Sequence, residues 1–284
     1  MAPVSLEPNP EMQTDPTQPP PEPIIQVQDL VTRYGQRKVL DGVNLTINQG
    51  EIMVIMGGSG SGKSTLLRHM LGLKKPSSGS IRIMGQDVAR IGTRALYELR
   101  KQIGVAFQGG ALLSSLSVGE NVSLPLREHT RLDDKTIEIM SRMKLEMMNL
   151  SGVEHLMPSE LSGGMVKRAG LARAIVMDPK ILFFDEPSAG LDPITSVELD
   201  ELILLAKQAM NMTIVVVTHE LESAFKIADR IAVLGQGQMV ITGTKDEVRD
   251  CQDERVQDML NRRPRREAMD ADEYLHRLAG LGRP

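Results

Sequence analysis

Residues 57–65 read Gly57-Gly58-Ser59-Gly60-Ser61-Gly62-Lys63-Ser64-Thr65 and fit G-x-x-x-x-G-K-[ST]. The apolar run Ile52–Met56 precedes them and Leu66-Leu67-Arg68-His69-Met70-Leu71 follows. This stretch constrains the fold most, because it predicts a buried strand, a glycine loop and an amphipathic helix in immediate succession. The four glycines let the loop adopt positive φ and turn its N–H groups inward on a polyphosphate, and a helix opening near Lys63 adds the positive end of its dipole. Lys63 is suited to neutralise the β- and γ-phosphates and Ser64 to hold Mg²⁺. A flexible Gly/Ser linker is the competing explanation. It does not account for a lysine set between a buried strand and an amphipathic helix.

The rest of the chain is compatible with a globular protein. At 284 residues and 41% apolar content it can hold one large α/β domain with tails, or two small domains. Cys251 is the single cysteine, which excludes an intrachain disulfide. Met1–Gln13 carries acidic residues and prolines in place of a basic start and an apolar core, so a cytoplasmic location is expected. No apolar run approaches the ~20 residues of a membrane span, and any membrane role therefore needs a partner. A net charge of −4, no tryptophan and 2% aromatics argue against a nucleic-acid surface built on base stacking.

Residues 1–23, ending Pro19-Pro20-Pro21-Glu22-Pro23, are expected to be a disordered tail. Ile24–Gln28 and Lys38–Ile47 then alternate as half-buried strands, with Tyr34 between them as a candidate platform for an adenine ring. Ser80–Ile83 reads as a strand, Thr93–Lys101 as a helix, and Ile103–Gln108 as a strand that Gln108 ends. Helical spacing follows over 117–150: Val118, Val122 and Leu126, then Ile137, Met140, Met143, Met147 and Leu150, with the methionines taken as core. A further helix runs from Leu161-Ser162-Gly163-Gly164-Met165 through Val176. The strand Ile181–Phe184 ends in Asp185-Glu186. Helix Pro193–Met210, strand Thr213–Val217 with Thr218-His219-Glu220 after it, and strands Ile231–Leu234 and Met239–Thr242 complete a sheet whose crossover helices make it largely parallel.

Taken together, the loop 57–65, Gln108, Leu161–Met165, Asp185-Glu186, Ser188-Ala189-Gly190-Leu191-Asp192 and His219 stand in the order of the ATP-binding-cassette ATPases, which the chain resembles over about residues 24–250. The resemblance implies an α/β phosphate-loop NTPase fold: a largely parallel sheet, an N-terminal antiparallel layer and a helical subdomain inserted at about 112–177. It implies ATP and Mg²⁺ as ligands, with Tyr34, Gly57, Gly58, Ser59, Gly60, Ser61, Gly62, Lys63, Ser64, Thr65 and Gln108 at the nucleotide. Ser64, Gln108 and Asp185, the last through water, would serve the metal. Glu186 would polarise the attacking water and His219 would contact the γ-phosphate. Two copies would face each other head to tail, so that Ser162, Gly163 and Gly164 act on the ATP of the partner and Asp192 lies on a loop crossing the interface. Met165 departs from the glutamine commonest at the end of this signature, while the serine and glycines remain.

Within the family, Leu161–Met165, Leu124–Thr130, Met157–Glu160 and Asp192–Thr195 resemble the ATPases of bacterial phospholipid transporters of the MCE type. That implies a permease pair, a periplasmic MCE-domain ring, a small STAS-domain subunit, and a peripheral location on the cytoplasmic face of the inner membrane. A small-solute importer, a soluble cassette protein and a nucleotide-binding scaffold without turnover are the alternatives. Residues 251–284 are expected to form an extension with short helices. In it Arg262–Arg266 make a basic hinge, Asp270 and Glu273 cap a helix, and Tyr274, Leu275 and Leu278 give that helix a docking face.

Overall fold

The computed structural model describes residues 22–263. The chain opens with two long strands, β1 (Pro23–Tyr34) and β2 (Arg37–Asn48), followed by β3 (Ile52–Met56) and α1 (Lys63–Met70). Next come β4 (Ser78–Ile83), β5 (Gln86–Asp87), α2 (Thr93–Arg100) and β6 (Ile103–Ala106). The helices α3 (Val118–His129), α4 (Asp134–Met147) and α5 (Gly163–Ile175) separate β6 from β7 (Ile181–Asp185). The remainder is α6 (Pro193–Met210), β8 (Thr213–Val217), α7 (Leu221–Ile227), β9 (Arg230–Gly235), β10 (Gln238–Thr244), α8 (Lys245–Arg249) and α9 (Glu254–Leu260).

Two sheets result. An antiparallel one has the order β2-β1-β4-β5, and a six-stranded one has the order β10-β9-β3-β8-β7-β6, parallel throughout except for the β9–β10 pair. All five residues of β3 are buried, as befits a central parallel strand covered on both faces. The period of two divides it: Ile52, Val54 and Met56 join the core under the helices, while Met53 and Ile55 join the core shared with the antiparallel sheet. Helix α1 adds Leu66, Leu67 and Met70 to that second core, so the helix is fixed from both sides of the loop that starts it. Among the described residues, no helix is long and apolar enough to cross a membrane.

Several expectations shift. Pro23 is already in β1, so the cassette starts one residue earlier; residues 1–21 lie outside the described residues. Tyr34 ends β1, paired with Arg37, and does not sit between strands. Gln108 lies two residues beyond β6, in a turn closed by Gly110 N–H donating to Phe107 O at 2.8 Å. The inner face of α4 is Ile137, Ser141 and Leu145, continued by Met148 and Leu150 beyond the helix, whereas Met140 and Met147 are half-buried and Met143 is 57% exposed. The helix is rotated so that the small Ser141 fits against its neighbours, and packing overrides the methionine stripe. Helix α9 supplies one short helix after residue 250, and the capped helix expected around 270–280 lies outside the described residues.

Candidate nucleotide site

The loop after β3 opens a cleft of about 270 Å³ lined by Tyr34, Arg37, Val39 and residues 60–65. Gly62 is the N-cap of α1 in a left-handed conformation (φ 109°), and a Cβ there would meet Leu40 Cδ2 at 2.6 Å. Only glycine satisfies both demands. Three of the four loop glycines, Gly57, Gly60 and Gly62, have positive φ; Gly58 does not. The helix opens at the cleft with no side-chain cap on its first turn, and a helix N-terminus turned to a cleft has the chemistry of an anion site. Ser61 Oγ is 2% exposed and has no hydrogen-bond partner among the described residues, so a phosphate oxygen would satisfy a buried hydroxyl. The Lys63 ammonium is buried beneath the loop and donates to Gly57 O at 2.6 Å and Gly58 O at 3.2 Å.

Strand β8 lies between β3 and β7, and this order brings three strand ends to one edge. Thr218 N–H donates to Ile55 O (3.2 Å) and Glu186 N–H donates to Val217 O (2.8 Å), which ties the ends together. Burial pushes the Asp185 carboxyl above its usual range and the neighbouring Glu186 adds to this, while Arg68 and Lys63 pull the other way. Glu186 sits at φ 52°, a region that L-residues with long side chains rarely occupy. Its Oε2 lies 2.8 Å from His219 Nδ1 and 3.4 Å from His219 N. An ionised carboxylate only accepts, so the imidazole proton is on Nδ1, and Nε2 faces outward 3.5 Å from Glu220 Oε1.

The remaining candidates take distinct places. Tyr34 is 46% exposed beside the cleft, and Lys74 Nζ stands 3.1 Å from its ring centroid. The hydrogen bond from Lys74 holds the Tyr34 hydroxyl below its usual range. Ser162, Gly163 and Gly164 are not among the residues lining the cleft. They open α5, where Ser162 Oγ accepts from Met165 N–H (3.3 Å) and a Cβ on Gly164 would meet Thr195 Cγ2 at 2.7 Å. Asp192 caps α6: Oδ1 accepts from Ile194 and Thr195 N–H at 3.1 and 3.0 Å, and Oδ2 from Thr195 Oγ1 at 2.6 Å. Gln108 is exposed and is likewise absent from the cleft lining. Sequence reasoning missed Arg37, which lines the cleft three residues after Tyr34, and two cations of α5, Lys167 and Arg173, that grip backbone carbonyls of neighbouring loops.

A phosphate loop, a pair of carboxylates at the next strand but one and a histidine just after the strand between define a nucleotide-hydrolysing domain of the phosphate-loop class. The chain belongs to the ABC transporter family of ATPases: it matches that family over residues 40–189, more than half its length. It is 43% identical over 237 residues to the intermembrane phospholipid transport system ATP-binding protein MlaF of Haemophilus influenzae, covering 84% of this chain and 90% of the relative. For the MlaF of Escherichia coli K12 the identity is 40%, over 84% of this chain and 88% of the relative. A probable ribonucleotide transport ATP-binding protein, mkl, of Mycobacterium tuberculosis is 39% identical, over 84% of this chain and 67% of that protein. Among solved structures, the dimeric post-hydrolysis state of the ATP-binding cassette MJ0796 bound to ADP and Pi aligns with a TM-score of 0.71 at 31% identity, covering 78% of this chain and 98% of that one. The cbiO1 subunit of Clostridium perfringens aligns with 0.74 at 29%, covering 90% and 99%.

Proposed function

We propose that this chain is the ATP-hydrolysing subunit of an inner-membrane phospholipid transporter of a bacterium, acting from the cytoplasmic face to maintain the lipid asymmetry of the outer membrane. The observation that carries the hydrolytic part is Glu186, held by His219 at the end of β7, on the same sheet edge as the phosphate loop and one strand removed from it. The cargo rests on the phospholipid-transport relatives of H. influenzae and E. coli.

In this reading the adenine stacks on Tyr34 and the phosphates lie against residues 57–65, with Lys63 as their fixed counter-charge. Mg²⁺ neutralises charge on the β- and γ-phosphate oxygens when bound. Ser64, Gln108 and, through water, Asp185 would hold it; burial and Glu186 raise the Asp185 carboxyl, and a divalent cation beside it would favour its ionised form. Glu186 accepts the proton of the attacking water as its oxygen bonds to the γ-phosphorus and the bond to the bridging oxygen breaks, leaving ADP and phosphate. His219 orients that carboxylate through its Nδ1–H, and its contact with the γ-phosphate through Nε2 requires a second proton there, that is, the imidazolium form. A second copy, packed head to tail, supplies Ser162, Gly163 and Gly164 to the same phosphate, and Asp192 stiffens the loop facing it. The dimeric solved relative supports two copies. Partners of this reading are a permease pair, a STAS-domain subunit and a periplasmic MCE-domain protein.

Affinity purification of the full chain in mild detergent, with identification of co-eluting subunits and lipids, tests the cargo. Recovery of a permease with an MCE-domain protein and phospholipid is expected. A second reading follows from the M. tuberculosis relative, whose name assigns ribonucleotide transport. Ribonucleotide-stimulated ATPase activity without any response to phospholipid would favour it.

A further inference from the structure

Helix α5 carries the Ser162–Gly164 turn at its N-terminus, and five residues after Ser162 the side chain of Lys167 leaves the helix for the loop after β7. Its ammonium donates to Pro187 O at 2.6 Å and to Ala189 O at 2.5 Å. Those carbonyls flank the residues that follow Glu186, whose left-handed backbone persists only when its surroundings over-determine it. On the other side Glu186 is held by its own N–H to Val217 O at 2.8 Å. Within the loop Ala189 N–H donates to Glu186 O (3.3 Å) and Leu191 N–H to Ser188 O (3.0 Å), while Pro187 and Ser188 are buried. The loop is therefore held by β8 on one side and by Lys167 of α5 on the other.

We propose that Lys167 is a positioning residue for Glu186: it clamps the Pro187–Ala189 carbonyls and so ties the base of each copy to the helix that the same copy presents to its partner's nucleotide. This rests on the proposed roles of Glu186 and of Ser162–Gly164. A γ-phosphate seated on the Ser162–Gly164 turn fixes the start of α5, and the clamp carries that fixation to Glu186 of the same chain. Partner engagement and base alignment then occur together. Two turns of helix beyond, Arg173 grips Gly110 O (3.1 Å) and Ala111 O (2.9 Å), so the same helix also holds the turn that bears Gln108. A backbone grip of this kind needs donors at the tip of a long side chain and is indifferent to what side chains the loop carries.

The test uses the full chain in its assembled complex. Lys167→Met keeps the stem and removes the donors; Lys167→Arg restores donors and charge. For Lys167→Met we expect nucleotide affinity within about threefold of the parent and kcat lower by about tenfold or more, since misplacing a catalytic group by ~1 Å costs up to ~100-fold. Lys167→Arg should recover most of the rate. In the Glu186→Gln background, Lys167→Met should still form the ATP-bound dimer. Mixed pairs read the direction of action in a single turnover. Lys167→Met placed in the same chain as Glu186→Gln, opposite a parent chain, should cost nothing beyond Glu186→Gln alone; placed in the opposite chain it should slow the remaining site about tenfold. Equal losses in both arrangements, a Lys167→Met rate within twofold of the parent, or loss of dimer formation along with the rate each overturns the proposal. A Glu186→Gln chain that hydrolyses ATP normally overturns instead the assignment of the base on which the proposal rests.

Discussion

Nδ1 of His219 lies 2.8 Å from Oε2 of Glu186, joining the loop after β8 to the end of β7. The histidine is thereby a second constraint on a residue already held at an unusual φ, and it fixes which carboxylate oxygen is free to take a proton. Removing the basicity without the shape separates binding from chemistry. Glu186→Gln is expected to bind ATP with near-parent affinity, to lower kcat by about 100-fold or more, and to accumulate the ATP-bound dimer. Steady-state hydrolysis together with size-exclusion chromatography in ATP checks this; hydrolysis at the parent rate would remove Glu186 from the role of base.

His219→Ala should leave nucleotide affinity within a few-fold and lower kcat by about 10- to 100-fold, because Glu186 loses its orienting donor while the phosphate loop is untouched. A fall in affinity matching the fall in rate would mean that His219 serves binding and not the alignment of Glu186.

Much of this site was legible in order along the chain, and the reason is local. The phosphate loop, the strand ending in Asp185-Glu186 and the cap at Asp192 are each built from residues adjacent in sequence, and β3, β7 and β8 are short apolar runs with no competing period. What escaped is non-local. The rotation of α4 is set by packing against α3 and α5, so Ser141 faces inward where a methionine count favours Met143. Lys167 and Arg173 escaped notice because their partners are backbone carbonyls 20 to 63 residues away, which carry no sequence signal. The turn beyond β6 was hidden likewise: Gly110 presses on α5, where a Cβ at Gly110 would meet Val166 O at 2.7 Å.

That contact gives a stability prediction. A Cβ on Gly170 would meet Gly110 O at 2.7 Å and Gly110 Cα at 2.9 Å, both backbone atoms that cannot move aside cheaply. Gly170→Ala should destabilise the domain by about 1–3 kcal/mol, lowering Tm by several degrees, and should lower kcat as the turn carrying Gln108 is displaced. An unchanged Tm in calorimetry would show that α5 and this turn are not in close contact.

Asp200 is 3% exposed, and its Oδ1 accepts from Ser223 Oγ at 2.5 Å, linking α6 to α7. Burial raises its carboxyl above the usual range, against the opposing pull of that bond and of Lys226. A folded-state value above the unfolded one means that the proton is held more tightly when folded. The stabilisation is then complete below the unfolded value and is lost as pH rises through the folded one. Asp200→Asn keeps an acceptor for Ser223 without a charge. Its Tm should exceed that of the parent at pH 8, with the gap narrowing toward pH 4; a variant less stable than the parent at pH 8 would contradict this.

In the proposed function the hydrolytic site is completed by a second copy of the chain, and complementation between two inactive variants reads this directly. Lys63→Ala removes the fixed counter-charge of the phosphates and should abolish ATP binding in its own loop, while Ser162→Arg should block the γ-phosphate held by its partner. Paired in one dimer, the two lesions fall on the same site and leave the other intact. Neither homodimer should hydrolyse ATP, and the mixed dimer should hydrolyse it at its one remaining site in a single-turnover assay. A mixed dimer as inactive as the two homodimers, or a Ser162→Arg homodimer with the parent rate, would contradict a site shared between copies.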